Sequence, residues 1–195
     1  MTVSDNELIN KFNNGDKDAF EELVNRYQHK VYNTTYRMLG NHEDAMDMAQ
    51  ETFLRVYKSL KKFKKNSSFS TWLFTITGNI CRDKLRKRQR EIKTYSLADD
   101  ENSTKIIPEN NDNKNIPEKV SISQEISEEI QEKVDLLPYE QKIVFVLREF
   151  EDFSYKEIAD ILDISIGTVK SRLSRARRSL RQDLYGIIQN GGIAL

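Results

Sequence analysis

The chain has 195 residues, and its 31 basic and 31 acidic residues give a formal net charge of zero. This length allows one large domain or two small ones. The charges are segregated, since Lys and Arg dominate residues 55–65 and 82–93 while residues 99–135 are strongly acidic. The neutral total therefore hides two basic surfaces and does not exclude a protein that binds nucleic acid.

The sequence offers few groups for catalysis or metal binding. One cysteine, Cys81, excludes an internal disulfide and a cysteine-rich metal site, and it fits a reducing cytoplasm. The two histidines, His29 and His42, have no Cys or His partner at ligand spacing. We find no Gly-rich phosphate loop, no secretion signal and no apolar run that could span a bilayer. These features predict a cytoplasmic protein without catalytic residues, metal ion or cofactor.

Three helices are predicted before residue 64. Ser4 and Glu7 form a capping box for the first, Asp16 can cap the second, Gly40 ends it, and Asn41 caps the third. Their inward faces are predicted to be Leu8, Ile9 and Phe12, then Phe20, Leu23, Val24, Tyr27 and Val31, then Ala45, Ala49, Phe53, Val56, Leu60 and Phe63. The outward side of the third helix is acidic at its start and basic at its end, which favours one basic protein partner and one nucleic-acid partner.

A basic polar loop at residues 64–70 is followed by a fourth helix. Trp72, Leu73, Ile76 and Ile80 predict its buried face, and we expect Trp72 to be a core residue. Its second half is a cationic rod built from Asn79, Arg82, Lys84, Arg86, Lys87, Arg88 and Arg90. Basic residues beside aromatic ones are typical of surfaces that bind single-stranded nucleic acid.

The apolar periodicity stops at about residue 94 and resumes at residue 122. Pro108 and Pro117 interrupt this polar stretch, so residues 94–121 are predicted to be a flexible linker between two domains. The acids between residues 99 and 135 match no motif, and a solvated spacer is favoured over an autoinhibitory role. Two further helices follow, one with Ile122, Ile126, Ile130 and Val134 facing inward and one at residues 143–150.

Residues 154–184 predict a helix-turn-helix. Ser154 and Glu157 form a capping box, residues 163–165 make the turn, and Ser165 is a second N-cap candidate. The buried stripe of the second helix is predicted to be Val169, Leu173, Ala176, Leu180 and Leu184. At about 100° per residue, the opposite face carries Gly167, Thr168, Ser171, Ser174, Arg175 and Arg178. Small and hydrogen-bonding residues between arginines suit a helix in a DNA major groove, with Lys170, Arg172 and Arg177 on the phosphate flanks.

Three segments in this order resemble the extracytoplasmic-function (ECF) group of bacterial sigma factors. They are DAMDMAQETFLRVYKSL at residues 44–60, FSTWLFTITGNICRDKLRK at 69–87 and YKEIADILDISIGTVKSRLSRARRSL at 155–180. In that family the first docks on a coiled coil of the RNA polymerase β′ subunit, the second reads the −10 element and the third reads the −35 element. The resemblance implies a promoter-specificity factor that binds core RNA polymerase and promoter DNA, and it implies an external anti-sigma factor as regulator.

The resemblance also implies roles for individual residues. The residues implied to contact the polymerase are Asp44, Asp47, Gln50, Glu51 and Phe53. For the −10 strand, it implies that one base is flipped into the loop at residues 63–70, with Asn79 beneath it. The residues implied to contact this strand are Phe63, Lys64, Lys65, Asn66, Ser67, Ser68, Asn79, Arg82 and Arg86. The residues implied to contact the −35 duplex are Thr168, Lys170, Ser171, Arg172, Ser174 and Arg175. Arg178 is included as well, because it lies on the outward face of the same helix.

The expected architecture is therefore all-α, with two small helical domains joined by a flexible linker and a helix-turn-helix in the second. Its bounds are 1–93 for a sigma region-two domain, 94–121 for the linker, 122–186 for a sigma region-four domain and 187–195 for a tail. Two alternatives stay open: a stand-alone helix-turn-helix regulator, which usually binds duplex as a dimer, and a nucleic-acid enzyme, which would need a carboxylate metal cluster or a nucleophile.

Overall fold

The computed structural model describes residues 3–64, 66–98 and 131–191, with side chains up to residue 91 in the second range and residue 181 in the third. Every regular element in these ranges is helical, which confirms the all-α prediction. The helices are α1 (Asp5–Asn13), α2 (Asp18–Leu39), α3 (His42–Ser59), a 3₁₀ turn (Leu60–Lys62), α4 (Phe69–Ala98), α5 (Tyr139–Glu149), α6 (Tyr155–Leu162) and α7 (Ile166–Gly191). Residues 131–135 are also helical.

The predicted caps set the ends of the first three helices. At α1 the Glu7 amide donates to Ser4 Oγ at 3.3 Å, and Glu7 Oε2 accepts from the Ser4 amide at 2.8 Å. The Asp16 carboxylate accepts from the Asp18 amide at 3.0 Å, at the start of α2. Gly40 ends α2 with φ of 76°, and Asn41 accepts from the Asp44 amide at 2.7 Å to open α3. These capping predictions are confirmed.

The first domain, α1 to α4, buries most of the predicted inward faces. Ile9, Leu23, Val31 and Val56 are at most 1% exposed, and Leu73 is completely buried. Helix α4 also buries side chains on a second side, among them Phe74, Thr77 and Cys81. A helix that is buried on two sides needs a second packing partner beyond α2 and α3.

The second domain supplies that partner. Helices α6 and α5 pack against α4 and α2, and the buried side chains of both domains form one continuous cluster. Phe74 of α4 meets Phe153 of the second domain edge to face, with ring centroids 4.9 Å apart. Gly40 lies so close to the second domain that a Cβ atom there would be 2.8 Å from Asp135 Oδ2. The two domains therefore share one core and form a closed molecule.

Two helices continue past the domain bounds predicted from the sequence. Helix α4 continues to Ala98, beyond the linker start predicted at residue 94, because no Gly or Pro occurs between residues 79 and 107 to end it. Helix α7 continues to Gly191, beyond the domain end predicted at residue 186. The rest of the predicted linker, together with Ile122, Ile126 and Ile130, lies outside the described residues.

Candidate DNA-binding helices and docking groove

Helices α6 and α7 form the predicted helix-turn-helix. Ser154 caps α6, and Asp163 ends it in the left-handed region with φ of 52°. Ser165 Oγ accepts from the Thr168 amide at 3.1 Å, which confirms it as the N-cap of α7. Val169 and Leu173 are buried beneath α7 with Ala176 and Leu180, so the predicted inward stripe is confirmed as far as side chains are described. The opposite side of α7 is consequently presented to solvent.

That outward side of α7 is polar and cationic. Its exposed residues are Gly167, Lys170, Ser171, Ser174, Arg175 and Arg178. Thr168 is half-buried, with its hydroxyl 2.9 Å from Ser165 Oγ. Ser171 donates to the Thr168 carbonyl oxygen at 3.0 Å. We call this surface, from Gly167 to Arg178, the recognition face.

The flanks of the recognition face carry two ion pairs to α5. Arg172 Nη1 lies 2.7 Å from Glu140 Oε2, and Arg177 Nη2 lies 2.5 Å from Glu149 Oε1. The hydrogen bonds that Arg177 donates to Glu149 raise the pKa of its guanidinium. Both side chains were predicted to contact phosphates, and both instead rest on carboxylates in the protein alone. Sequence analysis missed these partners because they are far from α7 in the chain.

Aromatic rings cluster where α4 begins. Phe63 lies 5.0 Å from Trp72 between ring centroids, and Phe69 lies 5.4 Å from Tyr27. Phe69 is buried, whereas Phe63 and Trp72 are half-buried. Trp72 therefore packs against the core, as predicted, and also keeps an accessible surface beside the loop.

The loop before α4 and the cationic part of α4 are two separate places. Lys64, Asn66, Ser67 and Ser68 are exposed in the loop, while Lys65 lies outside the described residues. Ser68 Oγ accepts from the Thr71 amide at 3.1 Å and so caps α4. Asn79 is exposed, but eleven residues of helix place it about 16 Å along the axis from Ser68. Along the helix, Asn79 is therefore about three turns away from the N-cap of α4.

Arg82 and Arg86 differ sharply in their surroundings. Arg86 is exposed, whereas Arg82 is half-buried, and its Cζ lies 5.4 Å from the centre of the Tyr139 ring of α5. Arg82 Nε is buried and has no hydrogen-bond partner among the described residues. Of the two arginines predicted to bind the −10 strand, Arg82 is therefore partly covered by the second domain and Arg86 is not.

The acidic residues of α3 also differ in their surroundings. Asp44 Oδ1 lies 2.5 Å from Lys84 Nζ of α4; although burial opposes it, this ion pair and the Asn41 amide lower the pKa of Asp44. Glu51 pairs with Arg55 at 2.7 Å along α3. Asp47 is exposed. Asp44 therefore braces α3 against α4, which leaves Asp47 as the more accessible carboxylate for a partner.

An apolar groove runs between α2 and α3. It has a volume of about 880 Å³, and Gln50 and Phe53 are among its lining residues. Met46, Leu54 and Tyr57 line it too, and they are 44%, 54% and 44% exposed. We call this surface the α2–α3 groove. The sequence-based prediction included Gln50 and Phe53 here, but it missed the three exposed apolar side chains, which lie outside the buried stripe of α3.

The predictions about reactive groups concern Cys81 and the histidines. Cys81 is completely buried, and burial raises the pKa of its thiol to about 12, so it stays protonated as a core side chain. His42 Nδ1 lies 2.7 Å from the Tyr32 hydroxyl. Within the described part of the chain, no helix is both long and apolar enough to cross a membrane.

Comparison with known proteins assigns both halves of the chain. The sequence model of Sigma-70 region 2 matches residues 23–91, which contain most of α2, all of α3 and most of α4. The model of Sigma-70 region 4 matches residues 127–180, which contain α5, α6 and the start of α7. These two matches cover the two domains that share the core.

Similar proteins match almost end to end. The ECF RNA polymerase sigma factor SigW of Bacillus subtilis (strain 168) is 38% identical over 180 residues, which cover 90% of this chain and 94% of that protein. The RNA polymerase sigma-H factor of Pseudomonas aeruginosa is 32% identical over 187 residues, covering 95% and 96%. The sigma factor RpoE of Bartonella quintana, solved with the anti-sigma factor NepR, superimposes with a TM-score of 0.66 at 25% identity and covers 85% of this chain and 96% of that one. The chain therefore belongs to the ECF RNA polymerase sigma factors.

Proposed function

We propose that this protein directs core RNA polymerase to its promoters by placing the recognition face of α7 in the major groove of the −35 element. The observation that carries this proposal is the recognition face itself. This face belongs to a helix that is capped by Ser165 and whose opposite side is packed into the core through Val169 and Leu173. The orientation of the face is therefore fixed before DNA binds. A rigid, polar and cationic helix surface is what major-groove reading requires.

The position of each residue on the helix determines whether it contacts bases or phosphates. Ser171, Ser174, Arg175 and Arg178 point away from the core and reach base edges. Lys170, Arg172 and Arg177 lie on the flanks and contact phosphates. Arg172 and Arg177 exchange Glu140 and Glu149 for phosphate oxygens on binding. At Arg177, which is exposed, this exchange costs little, because a solvent-exposed ion pair contributes only about 0.2–1 kcal/mol.

The −10 element is bound as a single strand along the first domain. Phe63 and Trp72 supply half-buried aromatic surfaces on which an unstacked base rests, and Lys64 with the loop hydroxyls holds its backbone. Asn79, Arg82 and Arg86 receive the strand further along α4. The separation of about 16 Å between the loop and Asn79 allows several nucleotides to lie between these two places.

The α2–α3 groove is the docking site for polymerase. Its exposed Met46, Leu54 and Tyr57 accept the apolar stripe of an amphipathic helix, and Asp47 beside them attracts a basic rim. We assign this partner to a helix of the β′ coiled coil of core RNA polymerase, on which the family resemblance predicts that this segment docks. In this proposal Gln50 and Phe53 contact the partner from the groove floor, Glu51 contributes from the rim, and Asp44 acts indirectly by holding α3 on α4.

The proposed role is that of a binding factor in the cytoplasm, without catalysis of its own. Energy for strand separation comes from contacts that exist only in the open promoter, because a ligand shifts an equilibrium by its differential affinity for the two states. We also propose an anti-sigma factor as regulator, since the similar RpoE of Bartonella quintana was solved in complex with one. The part of the predicted linker that follows α4, residues 99–121, is proposed as a spacer between the domains.

Run-off transcription with purified core RNA polymerase and a promoter library tests the function. The wild-type protein should give discrete transcripts from a subset of promoters. Leu54→Glu, which places a charge in the α2–α3 groove, should abolish them and also abolish co-purification with core polymerase. Leu136→Glu is the matched control, because Leu136 is 73% exposed and lies outside the groove.

Transcripts of wild-type intensity from Leu54→Glu would remove the groove from the docking site. Specific binding of the wild-type protein to duplex DNA as a dimer, with no transcript from any promoter, would favour the stand-alone regulator instead.

A further inference from the structure

One large apolar side chain is exposed at the start of α7. Ile166 is the first residue of this helix and is 43% exposed. Ile164, two residues earlier in the turn, packs against the core. The other apolar side chains described on α7 are buried, and they are Val169, Leu173, Ala176 and Leu180. Packing inside the protein therefore accounts for the neighbouring apolar residues but not for the exposed surface of Ile166.

The glycine that follows Ile166 is not required by the fold. The φ of Gly167 lies outside the left-handed region that favours glycine. Apart from its chain neighbours and its own helix backbone, a Cβ atom at Gly167 would contact only Ser165 Oγ among the described residues, at the ordinary distance of 3.7 Å. Glycine is less favourable than alanine in a helix. A glycine that the helix does not need indicates a close approach by a molecule outside the chain.

Both residues lie at the end of α7 where the recognition face begins. The Cα–Cβ bonds of a helix tilt towards its N-terminus, so the Ile166 side chain projects beyond the first turn. In a helix-turn-helix, the N-terminal residues of the second helix contact base edges in the major groove. The hydroxyls of Ser165 and Thr168 at this end lie 2.9 Å apart, and Ser165 caps the helix. These hydroxyls are thus engaged with each other, and Ile166 supplies the apolar surface.

We propose that Ile166 is a specificity-determining residue that contacts the C5-methyl group of a thymine in the −35 element, and that Gly167 lets the duplex approach closely enough for this contact. The inference deepens the proposed function and rests on it. The thymine methyl is an apolar group in the major groove, and apolar side chains recognise it. The arginines of the recognition face favour guanine, so Ile166 adds a preference that their hydrogen bonds do not supply.

Deoxyuridine tests the contact, because it pairs as thymidine does and lacks only the C5-methyl group. The probe is the −35 duplex that the wild-type protein selects from a random library, with each thymine replaced in turn by deoxyuridine. Fluorescence anisotropy measures binding by full-length wild type, Ile166→Ala and Leu136→Ala. Leu136→Ala is the matched control, because Leu136 is also an exposed apolar residue of the second domain and lies outside α7.

We expect deoxyuridine at one position to weaken wild-type binding by about fourfold, the factor expected for one buried methyl group. Leu136→Ala should show the same loss. Ile166→Ala should bind the thymine duplex more weakly and should not distinguish thymine from deoxyuridine at that position, a coupling that a merely structural role would not produce. A wild-type protein that is insensitive at every position would overturn the proposal. Full sensitivity in a folded Ile166→Ala would overturn it too.

Gly167→Ala tests the close approach separately. Its thermal midpoint should be unchanged or higher, because alanine favours a helix and its Cβ has room. Its affinity for the −35 duplex should fall by about tenfold, an effect comparable with one mismatched base pair. Wild-type affinity in this variant, or a lower thermal midpoint, would overturn the role given to Gly167.

The same measurements separate this proposal from the function on which it rests. Failure of the wild-type protein to select any −35 duplex, alone or with core polymerase, would reject both. Selection of a duplex that is insensitive to deoxyuridine would reject only the role of Ile166. Loss of co-purification with core polymerase in Ile166→Ala, with unchanged sensitivity to deoxyuridine, would assign the exposed side chain to a protein partner instead.

Discussion

Helices α4 and α7 both carry basic residues that we propose bind DNA, but these residues differ in their exposure to solvent. The cationic residues of α7 are exposed or held by ion pairs at the surface, such as Arg177 with Glu149. On α4, Arg86 is exposed, whereas Arg82 is half-buried at the domain interface, beside the Tyr139 ring. Surface ion pairs exchange with phosphates at little cost, whereas burying apolar area holds an interface closed. The recognition face of α7 is thus exposed, whereas Arg82 of α4 is partly covered by the second domain.

The largest effect is expected from the packing beneath α4. Phe74 is 1% exposed and contacts Phe153, so Phe74→Ala should lower the free energy of unfolding by about 3–5 kcal/mol through lost burial and a residual cavity. Phe145→Ala is the control, since Phe145 is only half-buried beside Phe150 and should cost less. Urea denaturation measures both. Equal losses in the two variants would contradict a core that is continuous between the domains.

Base reading by α7 gives the second largest effect. Arg175→Ala should reduce discrimination among −35 sequences by about 1–3 kcal/mol, because a bidentate contact to a base is lost. Arg177→Ala should instead weaken all sequences evenly and lower the salt slope by about one unit. A duplex library bound by the free protein and by the complex with polymerase measures both. An even loss across the library for Arg175→Ala would remove that residue from the bases.

Strand binding by α4 should distinguish two neighbouring arginines. Arg86→Ala should lower the salt slope for a −10 oligonucleotide by about 0.7, both in the free protein and in the complex with polymerase. Arg82→Ala should do so only in the complex, because Arg82 is covered when the molecule is closed. Anisotropy titrations at several salt concentrations measure the slopes. An equal effect of both substitutions in the free protein would show that Arg82 is already accessible.

The smallest effect is a pH dependence of the closed state. Burial raises the pKa of Glu151, although Thr34, Lys30 and Arg37 oppose the shift, and Asp152 adds to it. The closed form therefore binds a proton more tightly than an open form with Glu151 in water. Its stabilisation is complete below the ordinary carboxyl pKa and is lost as pH rises through the raised value.

Scattering measurements between pH 4.5 and 8 should accordingly show a larger closed fraction at the acidic end. Glu151→Gln keeps the shape of the side chain and cannot ionise, so it should flatten the profile. A profile that is unchanged in Glu151→Gln would assign the pH dependence to other groups.

Local sequence signals predicted the elements well, because their causes are local. The capping boxes at Ser4 and Ser154, the left-handed stop at Gly40 and the N-cap at Ser165 each depend on residues within four positions. The inward stripe of α7 follows from helical periodicity alone. The same reasoning placed the recognition face correctly on the outer side of the helix.

Contacts between distant segments were not predictable in this way. Nothing in the sequence around Arg82 indicates that Tyr139 will cover it, and nothing around Asp44 indicates its ion pair with Lys84. Phe74 lies outside the buried face predicted for α4, yet it is buried because the second domain packs there. The exposed Leu54 was missed because a period of buried residues says nothing about apolar residues outside it.

Permanganate probing of thymines at the −10 element tests the account most directly. The protein alone should leave a duplex promoter unreactive, and its complex with core polymerase should make these thymines reactive. Replacing residues 64–68 by Gly and Ser should abolish the reactivity while −35 binding and co-purification with polymerase persist. Full reactivity with this loop variant would contradict capture of the strand by the first domain. Reactivity with the wild-type protein in the absence of polymerase would contradict both the closed state and the proposed function.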